Sequence, residues 1–288
     1  MPVLNALYDV IGGWLPFEVM EPLFMRRALV GLLLLTPMTA AAGIQVVTHR
    51  MAFFSDAISH SVFTGLALGV LFAVHPHWTL PLFALLVGLG IVAVQRRTGL
   101  SADTVIGVFF SAAIAFGLAM ISREPGLARA LQRVIYGDIL TLTDADIMAT
   151  AVLLLLLTGF LVFGFNHLLY IGVNPALAQA HQIRVAAYQY VFAGLLALLV
   201  VLSVRAVGML LVTAMLIVPA AAARNLSRSA NAMFWWAQII AITSAVAGLM
   251  ISAHDAIRTA TGATIVLVAS GWFAVTAMFA ALRRRRKG

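Results

Sequence analysis

Residues Phe53 to Phe72 read FFSDAISHSVFTGLALGVLF, and the reading of this stretch decides the rest. From Ser61 onward it is apolar enough to lie in a lipid bilayer, and the Gly65-x-x-x-Gly69 spacing suits close helix packing in lipid. Yet it opens with Asp56 and His60, which stand one turn apart on a helix with Cβ atoms about 5–6 Å from each other. Thr64 extends the same stripe by another turn. Ionisable groups at membrane depth are costly and mark functional sites. A carboxylate and an imidazole at this spacing can hold one cation between them; both suit zinc, and the carboxylate also suits manganese. The plainer alternative makes Asp56 a helix cap and leaves His60 hydrogen-bonded to a neighbouring helix.

Working outward, 63% of the 288 residues are hydrophobic and only 10% are charged, against about 25% charged in soluble domains. The expected fold is therefore all-α, a polytopic bundle of transmembrane helices occupying residues 1–288 as a single domain. A spanning helix needs about 20 mostly apolar residues, and the chain offers 26–47, 57–74, 79–95, 104–122, 147–166, 188–204, 207–223, 235–252 and 263–282. Pro219 inside the seventh makes that one doubtful, because an interior Pro removes a backbone hydrogen bond. Eight or nine crossings are expected. The N-terminus lacks the basic region and small-residue cleavage site of a signal peptide.

Charge and cysteine usage exclude several classes. Of the 18 cations, 17 are Arg and the one Lys is Lys287. A phosphate-binding Walker loop needs a Lys after its glycines, so this chain does not hold ATP that way. The Arg residues cluster in breaks between apolar runs, which speaks against a nucleic-acid partner despite the net charge of +8. Cysteine is absent, so a transition metal must be held by His, Asp, Glu, Met or backbone oxygen. The basic run Arg283 to Lys287 predicts a cytoplasmic tail (283–288). Counting back across nine spans puts eleven of the 18 cations on the cytoplasmic side. Two ligands do not complete a zinc site, which wants roughly four, so a second copy of the chain, supplying another Asp56 and His60 across a two-fold axis, is expected.

Three motifs carry a resemblance. His49-Arg50-Met51-Ala52 is followed by Ser55-Asp56-Ala57-Ile58-Ser59-His60 and Gly65; Ile135 to Ile147 reads IYGDILTLTDADI; Val207 to Ser227 reads VGMLLVTAMLIVPAAAARNLS, with Pro219 in place. In order along the chain, these resemble the ABC-3 family of ABC transporter permeases, the zinc and manganese importers. The resemblance runs from about Glu21 to the C-terminal Arg cluster and implies that Asp56 and His60 line the metal pathway. Ser55 replaces the usual Gly before the Asp. Gly137-Asp138 reads by itself as a turn, and Asp144 and Asp146 as helix-start residues near the positive end of the macrodipole.

The break GVNPALAQAHQIRVAAYQY, Gly172 to Tyr190, predicts a short helix begun at Pro175. It is similar to the family's coupling segment, which docks on a cytoplasmic ATPase; that resemblance assigns coupling to 171–190, with Asn174, Pro175, Ala178, Ala180 and His181 as contacts. Asn174, Ala176 and Gln182 depart from the family's Asp, Glu and Gly. His75 and His77 flank Pro76 in an outer turn and read as a polar turn. His254 and Asp255 sit at another outer break and join Thr64 as further candidates along the pathway. His49, His167 and His181 read as interfacial, and the scattered methionines as core filler.

Taken together, the expected protein is a multi-pass permease in the bacterial cytoplasmic membrane. It works as a homodimer in contact with lipid, with a separate cytoplasmic ATPase subunit and an extracytoplasmic metal-binding protein. It is not itself an enzyme and holds no catalytic cofactor. Its cargo is zinc first, with manganese or ferrous iron as alternatives. A proton-coupled secondary transporter would need more intramembrane acids than the spans contain. An intramembrane metalloprotease would need a His-Glu-x-x-His helix, which does not occur.

Overall fold

The computed structural model describes residues 22–123, 142–254 and 259–285. In these stretches the chain forms α1 (Leu23–Thr48), α2 (Phe54–Leu71), α3 (Pro76–Thr98), α4 (Ala102–Ile121), α5 (Asp144–Val173), the short α6 (Pro175–Ala180), α7 (Val185–Val207), α8 (Met209–Leu226), α9 (Ala230–Ala253) and α10 (Thr261–Arg285). Among the described residues nine of these, all but α6, are long and apolar enough to cross a membrane. The doubtful seventh span is thus a helix, with Pro219 inside it. Gly137, Asp138, Asp255 and the tail beyond Arg285 lie outside the described residues.

The helix ends follow local chemistry. Pro76 occupies the first turn of α3, and the ring of the preceding His75 accepts from the His77 N–H at 3.3 Å. The same helix ends at Gly99 in the left-handed conformation (φ 68°), with Arg96 and Arg97 in its last turn, where cations oppose the macrodipole. Ser101 and Ser229 cap α4 and α9. Thr143 and Asp146 form a reciprocal capping pair: the Asp146 carboxylate accepts from the Thr143 N–H (3.2 Å) and hydroxyl (2.6 Å), and the Thr143 hydroxyl accepts from the Asp146 N–H (3.3 Å). The helix-start reading of Asp146 holds. Asp144 also stands at the helix start, as the first residue of α5, and in addition forms an ion pair with Arg27 of α1 at 3.1 Å, a pairing no sequence spacing announces.

The chain divides into two compact units, one within 1–44, 137–154 and 206–288, the other within 45–136 and 155–205. In the first, α9 and α10 meet where Gly248 faces the backbone of Ile265, and Gln238 donates its amide to the Pro37 carbonyl at 3.2 Å. In the second, α2 packs on α3 through Gly65 against Thr79 and Leu80, and α3 on α7 through Gly88 against Ala193 and Ala197. Lipid tails are as apolar as Leu, so close backbone approach and interhelical hydrogen bonds hold such helices together. Leu155, Phe163 and Leu267 are 73%, 80% and 71% exposed. In water such surfaces would demand a partner; on a spanning helix they are the lipid face.

Candidate metal pathway

Asp56 lies in the first turn of α2, three residues after the N-cap position Phe53. Asp56 and His60 are both half-buried, one turn apart on the same stripe. The next residues inward close around them. His60 meets Phe63 of its own helix edge-on at 5.4 Å and Phe110 of α4 edge-on at 4.9 Å between ring centroids. Two aromatic rings at right angles hold the imidazole in one orientation while leaving its ring nitrogens unspent on these contacts.

Thr64, the third residue of the stripe, has a different job in the described unit. It is 3% exposed, and its hydroxyl donates to the Ala113 carbonyl of α4 at 3.2 Å. The threonine clamps α2 to α4, and its proton is committed. Beside the carboxylate–imidazole pair run two serines that the sequence analysis did not count as site residues. Ser55 and Ser59, each one residue before Asp56 and His60, are 1% and 0% exposed, and neither hydroxyl has a hydrogen-bond partner. A buried hydroxyl left unpaired costs about 1–3 kcal/mol. The signal was available as a second i, i+4 pair, Ser-x-x-x-Ser, out of phase by one residue. Phe110 was not available, because no short-range pattern links it to His60.

Among the described residues no group of three or more His, Cys, Asp or Glu is assembled. His254 is the exposed residue that ends α9; Asp255 beside it lies outside the described residues. His75 and His77 serve the start of α3, the first as cap and the second edge-on to Trp78. His49 brings its Nε2 within 3.0 Å of the Leu168 carbonyl and stacks on Phe192. His167 stacks on Tyr188, and His181 meets Tyr170 edge-on.

The candidate coupling segment has the expected short helix with sharper bounds. Residues 171–173 still belong to α5, and Val185 already begins α7. Asn174 caps α6: its Oδ1 accepts from the N–H groups of Ala176 (3.0 Å) and Leu177 (3.1 Å). The cap explains why Asn is tolerated where the family has Asp, since either side chain offers the same acceptor. Asn174, Pro175, Leu177, Ala180 and His181 are exposed. Ala178 is not: it is fully buried against Ile171 and Val185. On a single turn of helix one face must anchor the segment, and Ala178 is on that face.

Among the described residues nine apolar helices, one of them opening with a carboxylate–imidazole stripe, mark a multi-pass membrane protein. More particularly, the chain belongs to the ABC 3 transport family, whose pattern matches residues 21–280. It is 30% identical over 261 residues to the high-affinity zinc uptake system membrane protein ZnuB of Haemophilus influenzae, covering 90% of this chain and 97% of that one. It is 31% identical over 265 residues to the manganese import system permease protein ScaB of Streptococcus gordonii, covering 92% and 94%. Among solved structures it is similar to PsaBC from Streptococcus pneumoniae in complex with Fab, with a TM-score of 0.74, 28% identity, and coverage of 93% and 94%.

Proposed function

We propose that this chain is the permease of an ATP-driven importer for a divalent transition metal, zinc in the first place, in a bacterial cytoplasmic membrane. The observation that carries the reading is the Asp56–His60 stripe of α2, with His60 held between two aromatic rings and two unpaired hydroxyls alongside. One chain supplies two ligands where zinc wants roughly four. A homodimer completes the set with Asp56 and His60 of a second copy. A half-apolar, sparsely ligated stripe suits a carrier, which must release its ion as well as bind it. All 288 residues act as one permease domain and perform no covalent chemistry. ATP is hydrolysed on a separate cytoplasmic subunit that docks on 171–190, through Asn174, Pro175, Ala180 and His181. An extracytoplasmic metal-binding protein delivers the ion on the opposite side, where His254 and Asp255 are candidates for the entrance, with Thr64 deeper along the same stripe as Asp56 and His60.

Manganese is the second reading, favoured by relatives named for it and by the affinity of carboxylate for that ion. The test is uptake of radioactive zinc and manganese into proteoliposomes bearing the complete transporter. Asp56→Asn and His60→Gln should each lower zinc uptake at least about tenfold, since even outer partners of a bound metal contribute that much. The ATPase rate of the variants reports assembly. Full uptake by either variant would refute the site, and preferential uptake of manganese would replace zinc as the cargo.

A further inference from the structure

The C-terminal half of the chain is electrically lopsided. From Ile147 to Gly288 it carries nine Arg and one Lys against a single acid, Asp255. Three of those arginines, Arg224, Arg228 and Arg283, line one cavity of about 340 Å3 together with Asn225 and Ser227. Arg224 stands in the last turn of α8, Arg228 in the turn before α9, and Arg283 near the end of α10. The Asn225 amide donates to the Thr276 hydroxyl at 3.4 Å, tying the end of α8 to α10. Among the described residues no carboxylate lines the cavity.

Neutralising helix ends does not account for this cluster. Two C-terminal ends offer about half a negative charge each, so three guanidiniums leave about two positive charges over. A cytoplasmic preference for cations asks for charge on this side, but not for a concave site. The surroundings are those of a bilayer interface. Trp235 and Trp236, in the first turns of α9, are 59% and 40% exposed, and Met278, Phe279 and Leu282 of α10 are 63%, 54% and 55% exposed. Exposed tryptophans sit at the headgroup level of membranes, and the α10 face beside them suits acyl chains.

We propose that this cavity binds the phosphate of an anionic phospholipid in the cytoplasmic leaflet, with its acyl chains along α10. Guanidinium forks match phosphate oxygens two at a time, and basic pockets between transmembrane helices on this side take lipid headgroups. The proposal is independent of the cargo and requires only that the chain spans the membrane with this end on the cytoplasmic side.

The experiment is native mass spectrometry of the purified full-length permease, alone and with its ATPase, supplied with dioleoylphosphatidylglycerol or dioleoylphosphatidylcholine. The wild type should retain the phosphatidylglycerol preferentially in both forms. Each arginine near an anionic headgroup is worth about fivefold, so Arg224→Gln/Arg228→Gln/Arg283→Gln should weaken retention about a hundredfold by the same rule. The single variant Arg283→Gln should lose about fivefold. Arg96→Gln/Arg97→Gln, a basic pair outside the cavity, should retain the lipid as wild type does. Equal retention of the two lipids, or an unchanged triple variant, would overturn the proposal. So would an equal loss in the Arg96/Arg97 variant, displacement by inorganic phosphate at matched concentration, or loss of lipid whenever the ATPase is present.

Discussion

The packing of α9 on α10 predicts a sharp contrast between two glycines of the same hairpin. A Cβ on Gly248 would stand 2.5 Å from Ile265 Cα and 2.8 Å from Ile265 N. Both are backbone atoms and cannot swing aside, so the helices must part by about 1 Å before the methyl reaches ordinary contact distance. That movement pulls on the Ser252–Thr261 hydroxyl bond, 3.1 Å long, at the end of the hairpin where α9 connects to α10. Overpacking of this kind costs about 1–3 kcal/mol, and replacing Gly by Ala in a helix returns about 0.5–1 kcal/mol. Taking the middle of each range, the net loss for Gly248→Ala is about 1 kcal/mol, or about 2–4 °C in Tm for a chain of this size. Gly271 lies in α10 with nothing within 4 Å of the same added atom. Gly271→Ala keeps only the propensity gain and should be neutral or raise Tm slightly. The assay is tryptophan fluorescence of the detergent-solubilised protein at one fixed scan rate, because unfolding of such proteins is irreversible. Equal shifts for the two variants, or a Gly248→Ala protein as stable as wild type, would refute the packing.

Two further predictions concern the cytoplasmic side. In the cysteine-free chain, Ala180→Cys should cross-link to the ATPase subunit and Ala178→Cys should stay unreactive until the protein is denatured; rapid labelling at 178 would contradict the burial of that face. Burial pushes His49 below its ordinary value of 6.5, with the Leu168 carbonyl opposing by a smaller amount. Above pH 6.5 the imidazole is neutral folded and unfolded, and stability is constant. As pH falls below 6.5 the unfolded state takes up the proton first, so stability declines until the folded imidazole also titrates. Tm measured from pH 7.5 down to about 5 should fall more steeply for wild type than for His49→Gln, and parallel curves would sink this account.

Much of the candidate site was legible because its signals are local. Asp56 and His60 announce themselves by one turn of spacing in an apolar run, and the short helix α6 by Pro175 after Asn174. Thr64 was legible as a position but not as a role: its hydroxyl partner, Ala113, is 49 residues away. Ala178 could not be told from Ala180 by composition, since both are small and apolar. Only the fold of the 171–185 turn separates them.

Sequence alone determined the all-helical membrane class, eight or nine long apolar runs and the one-turn spacing of Asp56 and His60, because hydropathy and helical periodicity depend on nearest neighbours along the chain. Tertiary structure alone decided that Phe110 closes over His60, that Arg27 meets Asp144, and that Arg224, Arg228 and Arg283 share one cavity. These pairings join helices far apart in the chain, and in lipid they are set by how closely backbones can approach at a few small residues, a quantity no local pattern encodes.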